Sequence, residues 1–245
     1  MSTSDLDLVA SGDRRALSRL LSRLVDDQPA SLLEALAERP PSHVTGITGP
    51  PGAGKSTLVD QLVRLERRKG RRPGVVVIDP SSPITGGALL GDRIRMQGHS
   101  GDESVFIRSL ANRGALGGVA SGVEPVLSAL SLGGFEPLML ETVGVGQSEI
   151  SVMNVADTVV VVLHPGWGDD VQAAKAGLLE IAHIVFVNKS DQGGAEETAG
   201  LLASALARDQ GRAAKVLVGS ALTGAGIDEL SAAIAAHRDF LSHRG

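Results

Sequence analysis

The sequence predicts an α/β fold in which helices flank a mainly parallel sheet. Short apolar runs alternate with amphipathic segments along the 245 residues, which is the pattern of repeated strand–helix units. Hydrophobic residues make up 42% of the chain but aromatic residues only 2%, so we expect an aliphatic core between two helical layers. A Gly-rich turn, Gly49–Thr57, separates the first strand of this pattern from the helix that follows it.

The elements follow from the spacing of apolar residues and from the Gly and Pro residues between them. Residues 5–38 have helical periodicity with a break and cap at Gly12–Asp13, and we interpret 1–41 as an N-terminal helical extension of one domain, 42–245. Continuous apolar runs indicate buried strands at Val44–Thr48, Val75–Ile78, Pro137–Leu140, Thr158–Leu163, Ile184–Val187 and Val216–Val218, with a brief strand at Ser104–Arg108. Helices are predicted at Thr57–Lys69, from the Gly-rich stretch 114–122 through Leu132, at Ala195–Ala207 and at Ile227–Phe240.

Composition excludes several classes of protein. The net charge of −5 argues against a nucleic-acid-binding protein, which needs clustered cations. The absence of cysteine excludes disulfides and thiolate metal sites. The first residues lack a secretory signal, and no apolar run has the length of a membrane span, so we expect a cytoplasmic protein without membrane contacts.

The turn Gly49–Thr57 fits the phosphate-binding pattern G-x-x-x-x-G-K-[ST] and stands between an apolar run and an amphipathic one. A strand that turns sharply into a helix directs backbone N–H groups and the positive end of the helix dipole at one point, which favours bound phosphate. We therefore predict a P-loop NTPase. Lys55 is expected to reach the β- and γ-phosphates, and the Ser56 hydroxyl to be a magnesium ligand. The nucleotide-binding residues predicted in this turn are Gly49, Gly52, Ala53, Gly54, Lys55, Ser56 and Thr57.

The base is predicted by Asn188-Lys189-Ser190-Asp191, which follows a core strand and resembles the N-K-x-D guanine-binding motif of GTPases. The Asp191 carboxylate would accept hydrogen bonds from guanine N1–H and the 2-amino group, and adenine offers neither donor there. Asn188 and Lys189 would brace the loop and cover the base. The stretch Ser220-Ala221-Leu222, after the last strand, resembles the second base-side loop of GTPases. These motifs predict GTP and GDP as ligands.

The magnesium site is predicted at the ends of further strands. Glu141–Gly144 stands where GTPases carry D-x-x-G, and Glu141 is expected to hold Mg²⁺ directly or through water. Asp79 follows the second buried strand, and Asp92 lies in the polar, Gly-rich stretch that continues to residue 103. Both are candidate ligands, because ligands of doubly wound sheets gather beyond the carboxyl ends of the strands.

The candidate catalytic residues are Lys55, Glu141, Gly144 and Gln147. The Gly144 N–H is expected to sense the γ-phosphate. No Gln follows Gly144 directly, so Gln147 is the nearest candidate to orient the attacking water. We therefore expect slow hydrolysis that a partner accelerates, because positioning and charge neutralisation dominate phosphoryl transfer.

Taken together, these motifs resemble the MeaB/ArgK family of G-protein chaperones over about residues 5–240. The matching stretches are Ile47–Thr57, Val77–Ser82, Thr85–Gly87, Gly91–Arg93, Glu141–Glu149 and Pro165–Asp169. The resemblance implies a chaperone that uses GTP to gate adenosylcobalamin loading and repair of a B12-dependent acyl-CoA mutase. It implies that the mutase subunit, not this chain, binds cobalamin.

The resemblance also implies a third switch segment, Asp169–Lys175, in which Gln172 and Lys175 couple nucleotide state to the mutase. Asp79 and Asp92 would be the acidic residues of the first switch. Family members extend into a C-terminal helical arm used for dimerisation, whereas this sequence ends at Gly245. It is therefore expected to be a short form, and a homodimer would need another surface.

Three alternatives stay open from the residues alone. A nickel-insertion GTPase would need clustered Cys and His ligands, whereas this chain has no cysteine and six scattered histidines. A phosphotransferase would use the same P-loop and magnesium residues. An ATPase of the ParA/MinD type would carry a second lysine early in the loop, where this chain has Pro50 and Pro51.

Overall fold

The computed structural model describes residues 4–80, 97–99, 101–112, 118–143, 153–166, 178–207 and 214–243. The strands in this part of the chain are β1 (Val44–Thr48), β2 (Gly74–Pro80), β3 (Phe106–Asn112), β4 (Leu138–Thr142), β5 (Thr158–Leu163), β6 (Ile184–Val187) and β7 (Lys215–Val218). The helices are α1 (Ser4–Ala10), α2 (Arg14–Asp26), α3 (Ala30–Ala37), α4 (Lys55–Arg68), α5 (Gly118–Leu132), α6 (Ala195–Ala207) and α7 (Ile227–Ser242). Short 3₁₀ turns lie at Gln97–His99 and Ser190–Gln192.

The described strands form one seven-stranded sheet in the order β3-β2-β4-β1-β5-β6-β7. β2 pairs in parallel with β3, and β5 pairs in parallel with both β1 and β6; β6 and β7 are parallel too. Strands β1, β4, β5 and β6 are buried along their whole length, as their uninterrupted apolar runs predict. The predicted α/β fold with a parallel sheet and flanking helices is confirmed.

Two compact units make up the chain. The first contains Met1–Val44 and Glu66–Leu140, and the second contains Thr45–Leu65 and Glu141–Gly245. The predicted boundary between a helical extension, 1–41, and a domain, 42–245, stays a prediction. Among the described helices, none combines the length and the apolar character that spanning a bilayer requires.

In the first unit, the N-terminal helices pack on one another and on α5. The expected break and cap at Gly12–Asp13 is present, because the Asp13 carboxylate accepts hydrogen bonds from the N–H groups of Arg15 (2.8 Å) and Ala16 (2.9 Å). These bonds, that of Ala16 foremost, lower the pKa of Asp13. The buried face of α2 consists of Ala16, Leu17, Leu20, Leu21 and Leu24.

Two arginines hold the segment that leads into β3. Arg14 of α2 donates to the carbonyl oxygens of Glu103 (2.6 Å) and Val105 (2.8 Å). Arg67 of α4 donates to the Asp102 carboxylate at 2.7 Å, and this bond lowers the pKa of Asp102.

The limits of β3 differ from those predicted. The strand occupies Phe106–Asn112, not the brief Ser104–Arg108 of the sequence prediction, and it pairs with β2 along its whole length. β3 is the first strand in the order of the described sheet, and an edge strand tolerates polar residues such as Arg108 and Ser109. Because these polar residues interrupt the apolar run, the sequence prediction did not identify the full strand.

We expect Leu21→Ala to lower the free energy of unfolding by about 2–5 kcal/mol, because it deletes a side chain packed in the core. Leu21 is 0% exposed. Leu201 of α6 is 58% exposed, so Leu201→Ala is the matched control and should change the unfolding free energy by less than about 0.5 kcal/mol. Urea unfolding of both variants measures the difference, and equal losses would contradict the packing of α2.

Candidate functional site

The phosphate-binding turn lies between β1 and α4 in the second unit, as predicted. Lys55 is the first residue of α4, two residues earlier than the predicted helix start at Thr57. Its buried ammonium donates to the carbonyl oxygens of Gly49 (2.8 Å) and Pro50 (3.0 Å), and the N–H of Leu58 bonds the carbonyl of Gly54. These bonds hold the lysine against the turn. Helix α4 begins at Lys55, so the positive end of its dipole lies at the turn.

Two glycines of the turn are required by their neighbours. Gly49 has φ +141°, and a Cβ atom there would lie 2.1 Å from the carbonyl oxygen of Val162 in β5. Gly54 has φ +90°, and a Cβ atom there would lie 2.4 Å from the amide nitrogen of Asn188. A Cβ on Gly52 would meet nothing within 4 Å among the residues that the structure describes.

Ser56 and Glu141, the two strongest magnesium candidates, are in contact. The Ser56 hydroxyl donates to Glu141 Oε1 at 2.5 Å, and Glu141 is 0% exposed at the fourth position of β4. β4 continues to Thr142, beyond the predicted end at Leu140, so Glu141 belongs to the strand itself. A hydroxyl and a carboxylate beside a phosphate-binding turn are hard oxygen donors, and this donor set fits Mg²⁺.

A second contact between the same elements was not predicted. The Thr142 hydroxyl donates to the Thr48 hydroxyl at 3.0 Å, and both side chains are fully buried. Thr48 is the last residue of β1 and Thr142 the last of β4. The available signal in the sequence was a threonine at the final position of two apolar runs that both precede a Gly-containing motif.

Asn188 connects three segments of the second unit. Its Nδ2 donates to the carbonyl oxygen of Ala53 in the phosphate-binding turn at 2.8 Å. Its Oδ1 accepts from the N–H of Ala221, after β7, at 2.8 Å. The side chain is 2% exposed and itself follows β6. The three predicted loops are therefore joined through one amide.

The predicted base-reading residues form a second group of contacts. The Ser220 hydroxyl donates to Asp191 Oδ1, and the N–H of Ser190 bonds the carbonyl of Gly219 at 3.0 Å. Lys189 adopts the left-handed conformation, φ 62° and ψ 36°, which turns the chain between Asn188 and Asp191. Asp191 is exposed, as is Leu222 with 76% of its surface accessible. An exposed carboxylate held by a hydroxyl can accept hydrogen bonds from a planar base.

The other predicted site residues are placed as follows. Thr57 is exposed in the first turn of α4. Asp79, in the first unit, is the penultimate residue of β2 and is fully buried. The remaining candidates lie outside the described residues; they are Asp92, Gly144, Gln147, Gln172 and Lys175.

The family model "Methylmalonyl Co-A mutase-associated GTPase MeaB" matches residues 15–245. The chain belongs to the MeaB family. A GTPase of Pyrococcus horikoshii is 45% identical over 251 residues, which cover 98% of this chain and 78% of that protein. The GTPase ArgK of Escherichia coli is 41% identical over 146 residues, which cover 60% of this chain and 44% of that protein. The predicted MeaB/ArgK resemblance is confirmed.

Solved structures share the fold of this chain. The crystal structure of a LAO/AO transport system kinase superposes with a TM-score of 0.79 at 25% identity, covering 99% of this chain and 76% of that one. HypB from Helicobacter pylori, solved in complex with nickel, superposes with a TM-score of 0.57 at 18% identity, covering 88% and 92% of the two chains. The second likeness shows the fold alone.

The activity follows at the level of the family. The relatives are named GTPases, and this MeaB-family chain is a GTPase that binds GTP and GDP. Its phosphate-binding turn and the Asn188 and Asp191 loop occur in the second unit in contact with one another, as such a ligand requires.

We expect Asn188→Ala to lower the free energy of unfolding of the nucleotide-free protein by about 1–3 kcal/mol, since the buried groups that it bonds lose their partner. The affected groups are the Ala53 carbonyl and the Ala221 N–H. Asn154 is exposed, so Asn154→Ala serves as the control and should unfold like the unaltered protein. Indistinguishable unfolding of the two variants would contradict a bridging role for Asn188.

Proposed function

We propose that this MeaB-family GTPase uses GTP binding and hydrolysis to gate the loading and repair of adenosylcobalamin in a B12-dependent acyl-CoA mutase. The observation that carries the proposal is the match of a mutase-associated family model to residues 15–245. The joined phosphate and base loops supply a nucleotide site that such gating requires. The mutase binds the cobalamin, and this chain acts on it as a partner.

Nucleotide binding rests on the second unit. Backbone N–H groups of the turn and the Lys55 ammonium hold the β- and γ-phosphates, and the Lys55 contacts with Gly49 and Pro50 keep it there. Ser56 and Glu141 would hold Mg²⁺, which prefers hard oxygen ligands, and Asp79 and Asp92 stay the further ligand candidates that the sequence predicts. When bound, the metal supplies neutralisation of the charge that develops on the phosphates.

Base selection rests on Asp191. Its carboxylate accepts from guanine N1–H and from the 2-amino group, with Ser220 orienting it through their hydrogen bond. Lys189 covers one face of the base, and Leu222 is exposed in the loop that follows β7. ATP is rejected, because the adenine edge presents no such pair of donors to the carboxylate.

Hydrolysis transfers the γ-phosphoryl group of GTP to water and yields GDP and phosphate. The Gly144 N–H senses the γ-phosphate, and Gln147 orients the attacking water. Loss of the γ-phosphate changes the contacts of the first switch, which contains Asp79 and Asp92. Gln172 and Lys175, in the third switch, transmit that change to the mutase. A partner that completes the water-orienting geometry accelerates a slow intrinsic reaction.

Asp191→Asn should change the nucleotide preference from GTP toward XTP, because an acceptor oxygen becomes an amide donor that matches the 2-carbonyl of xanthine. We expect GTP affinity to fall by about 1–3 kcal/mol, the usual effect of an unmatched polar pair. Titration with fluorescent GTP and XTP analogues measures this preference. The control is Asp239→Asn, because Asp239 is an exposed residue of α7. An unchanged preference in Asp191→Asn would disprove the base assignment.

The second prediction concerns the partner. Phosphate release from GTP should be slow for the chain alone and should rise at least about tenfold with a saturating cobalamin-dependent acyl-CoA mutase, as for other GTPases completed in trans. Release of free phosphate equal to the GDP formed separates hydrolysis from transfer to an acceptor. A rate that saturating mutase leaves unchanged would contradict the gating proposal. Labelled acceptor formed in place of free phosphate would indicate a phosphotransferase.

A further inference from the structure

Two consecutive residues of β4 contact opposite ends of the phosphate-binding turn. Glu141 accepts from Ser56, where the turn has passed into α4, and Thr142 donates to Thr48, where the turn begins. The turn between these two contacts therefore starts and finishes against the end of one strand. The first contact involves the proposed magnesium ligands, whereas the second involves residues to which no role in nucleotide binding has been given.

The two contacts differ in chemistry. Successive side chains of a strand point to opposite faces, so Glu141 and Thr142 reach the turn from different sides of β4. The Ser56–Glu141 contact joins two groups that a bound cation would share, so the cation would replace their hydrogen bond while the two groups stay side by side. The Thr48–Thr142 bond joins two neutral hydroxyls in a fully buried position between neighbouring strands, and a nucleotide or a cation has no group to offer there.

We propose that Thr142 is a positioning residue that acts through Thr48 to hold the end of β4 in register with the phosphate-binding turn. While this bond persists, the Glu141 carboxylate stays at the distance from Ser56 at which both can share a divalent cation with a bound nucleotide. The inference rests on the proposed nucleotide and magnesium site. It assigns to the hydroxyl pair an effect on metal-dependent binding that is separate from its effect on stability.

The position of the Thr48–Thr142 bond at the strand ends matters as much as the contact itself. Backbone hydrogen bonds join neighbouring parallel strands along their length, and a side-chain bond between their last residues adds a further tie at the strand ends. Thr48 and Thr142 are those last residues in β1 and β4. A buried hydroxyl pair has a narrow range of separations, about 2.5–3.0 Å between oxygens, so it limits sliding and splaying of the strand ends more tightly than apolar contact does.

The test uses the full chain with Thr142→Val, which keeps the shape of the side chain and removes its hydroxyl, and with Thr142→Ser, which keeps the hydroxyl. Thr158→Val is the matched control. Thr158 is also fully buried in a central strand, and its hydroxyl contacts Nδ1 of His237 at 2.7 Å, at the first residue of β5. Thr48→Val removes the other member of the proposed pair. Fluorescent GDP is titrated onto each protein with Mg²⁺ and with EDTA, and thermal midpoints are recorded.

We expect GDP to bind the unaltered protein more tightly with Mg²⁺ than with EDTA, and we call the ratio of the two dissociation constants the magnesium gain. In Thr142→Val this gain should fall at least about tenfold, the usual effect of altering a group that orients a metal ligand. Binding in EDTA should change little. Thr48→Val should show the same loss, and the double variant should be no worse, because both changes remove one interaction. Thr142→Ser should retain the gain, and so should Thr158→Val despite a comparable fall in thermal midpoint.

The proposal is overturned if the magnesium gain is unchanged in folded Thr142→Val or Thr48→Val. It is also overturned if Thr158→Val loses as much of the magnesium gain as Thr142→Val does. If one of the two pair variants fails to fold, the other decides. Failure of the proposed nucleotide and magnesium site gives a different result. The unaltered protein would then bind GDP no more tightly with Mg²⁺ than with EDTA.

Discussion

The constraint on which the site depends is the hydrogen bonding of one buried amide, Asn188. Its two polar atoms bond the Ala53 carbonyl and the Ala221 N–H, which belong to segments 135 and 33 residues away along the chain. An unbonded amide in such a place would be unfavourable, so the phosphate turn and the two base loops have to be in place together. Gly54 allows this, because any side chain on it would occupy the position of the Asn188 amide group.

The remaining contacts of the site extend from this amide. Ser190 and Gly219 bond through their backbones, and Ser220 bonds Asp191, so the loops after β6 and β7 support each other beside Asn188. On the phosphate side, the end of β4 contacts both ends of the turn. Parallel strand order accounts for this grouping, because β4, β1, β5, β6 and β7 are consecutive neighbours and present their carboxyl ends at one edge.

Motifs with a fixed chemistry led to specific residues, and the roles predicted for those residues stay predictions. Lys55, Ser56, Glu141, Asn188 and Asp191 were selected from spacing and strand context, and the structure brings Ser56 to Glu141 and joins the turn to Asn188. The family was identified in the same way, since the motifs are long and their order along the chain is specific. The limits of elements were predicted less well. Strand β3 was shortened and misplaced, because polar Arg108 and Ser109 are compatible with an edge strand but break an apolar run.

Apolar periodicity, glycine placement and motif order by themselves determined the α/β class and the position of the Gly-rich turn, and they predicted the guanine-binding loop at Asn188–Asp191, because each depends on neighbours a few residues apart. The tertiary structure alone decided which polar groups satisfy one another. The Asn188 bridge, the Thr48–Thr142 pair and the Arg14 bonds to the segment before β3 all join residues that are dozens of positions apart. Local sequence patterns do not indicate how close such residues lie in the folded chain. Strand order and burial bring them within hydrogen-bonding range and leave them few other partners.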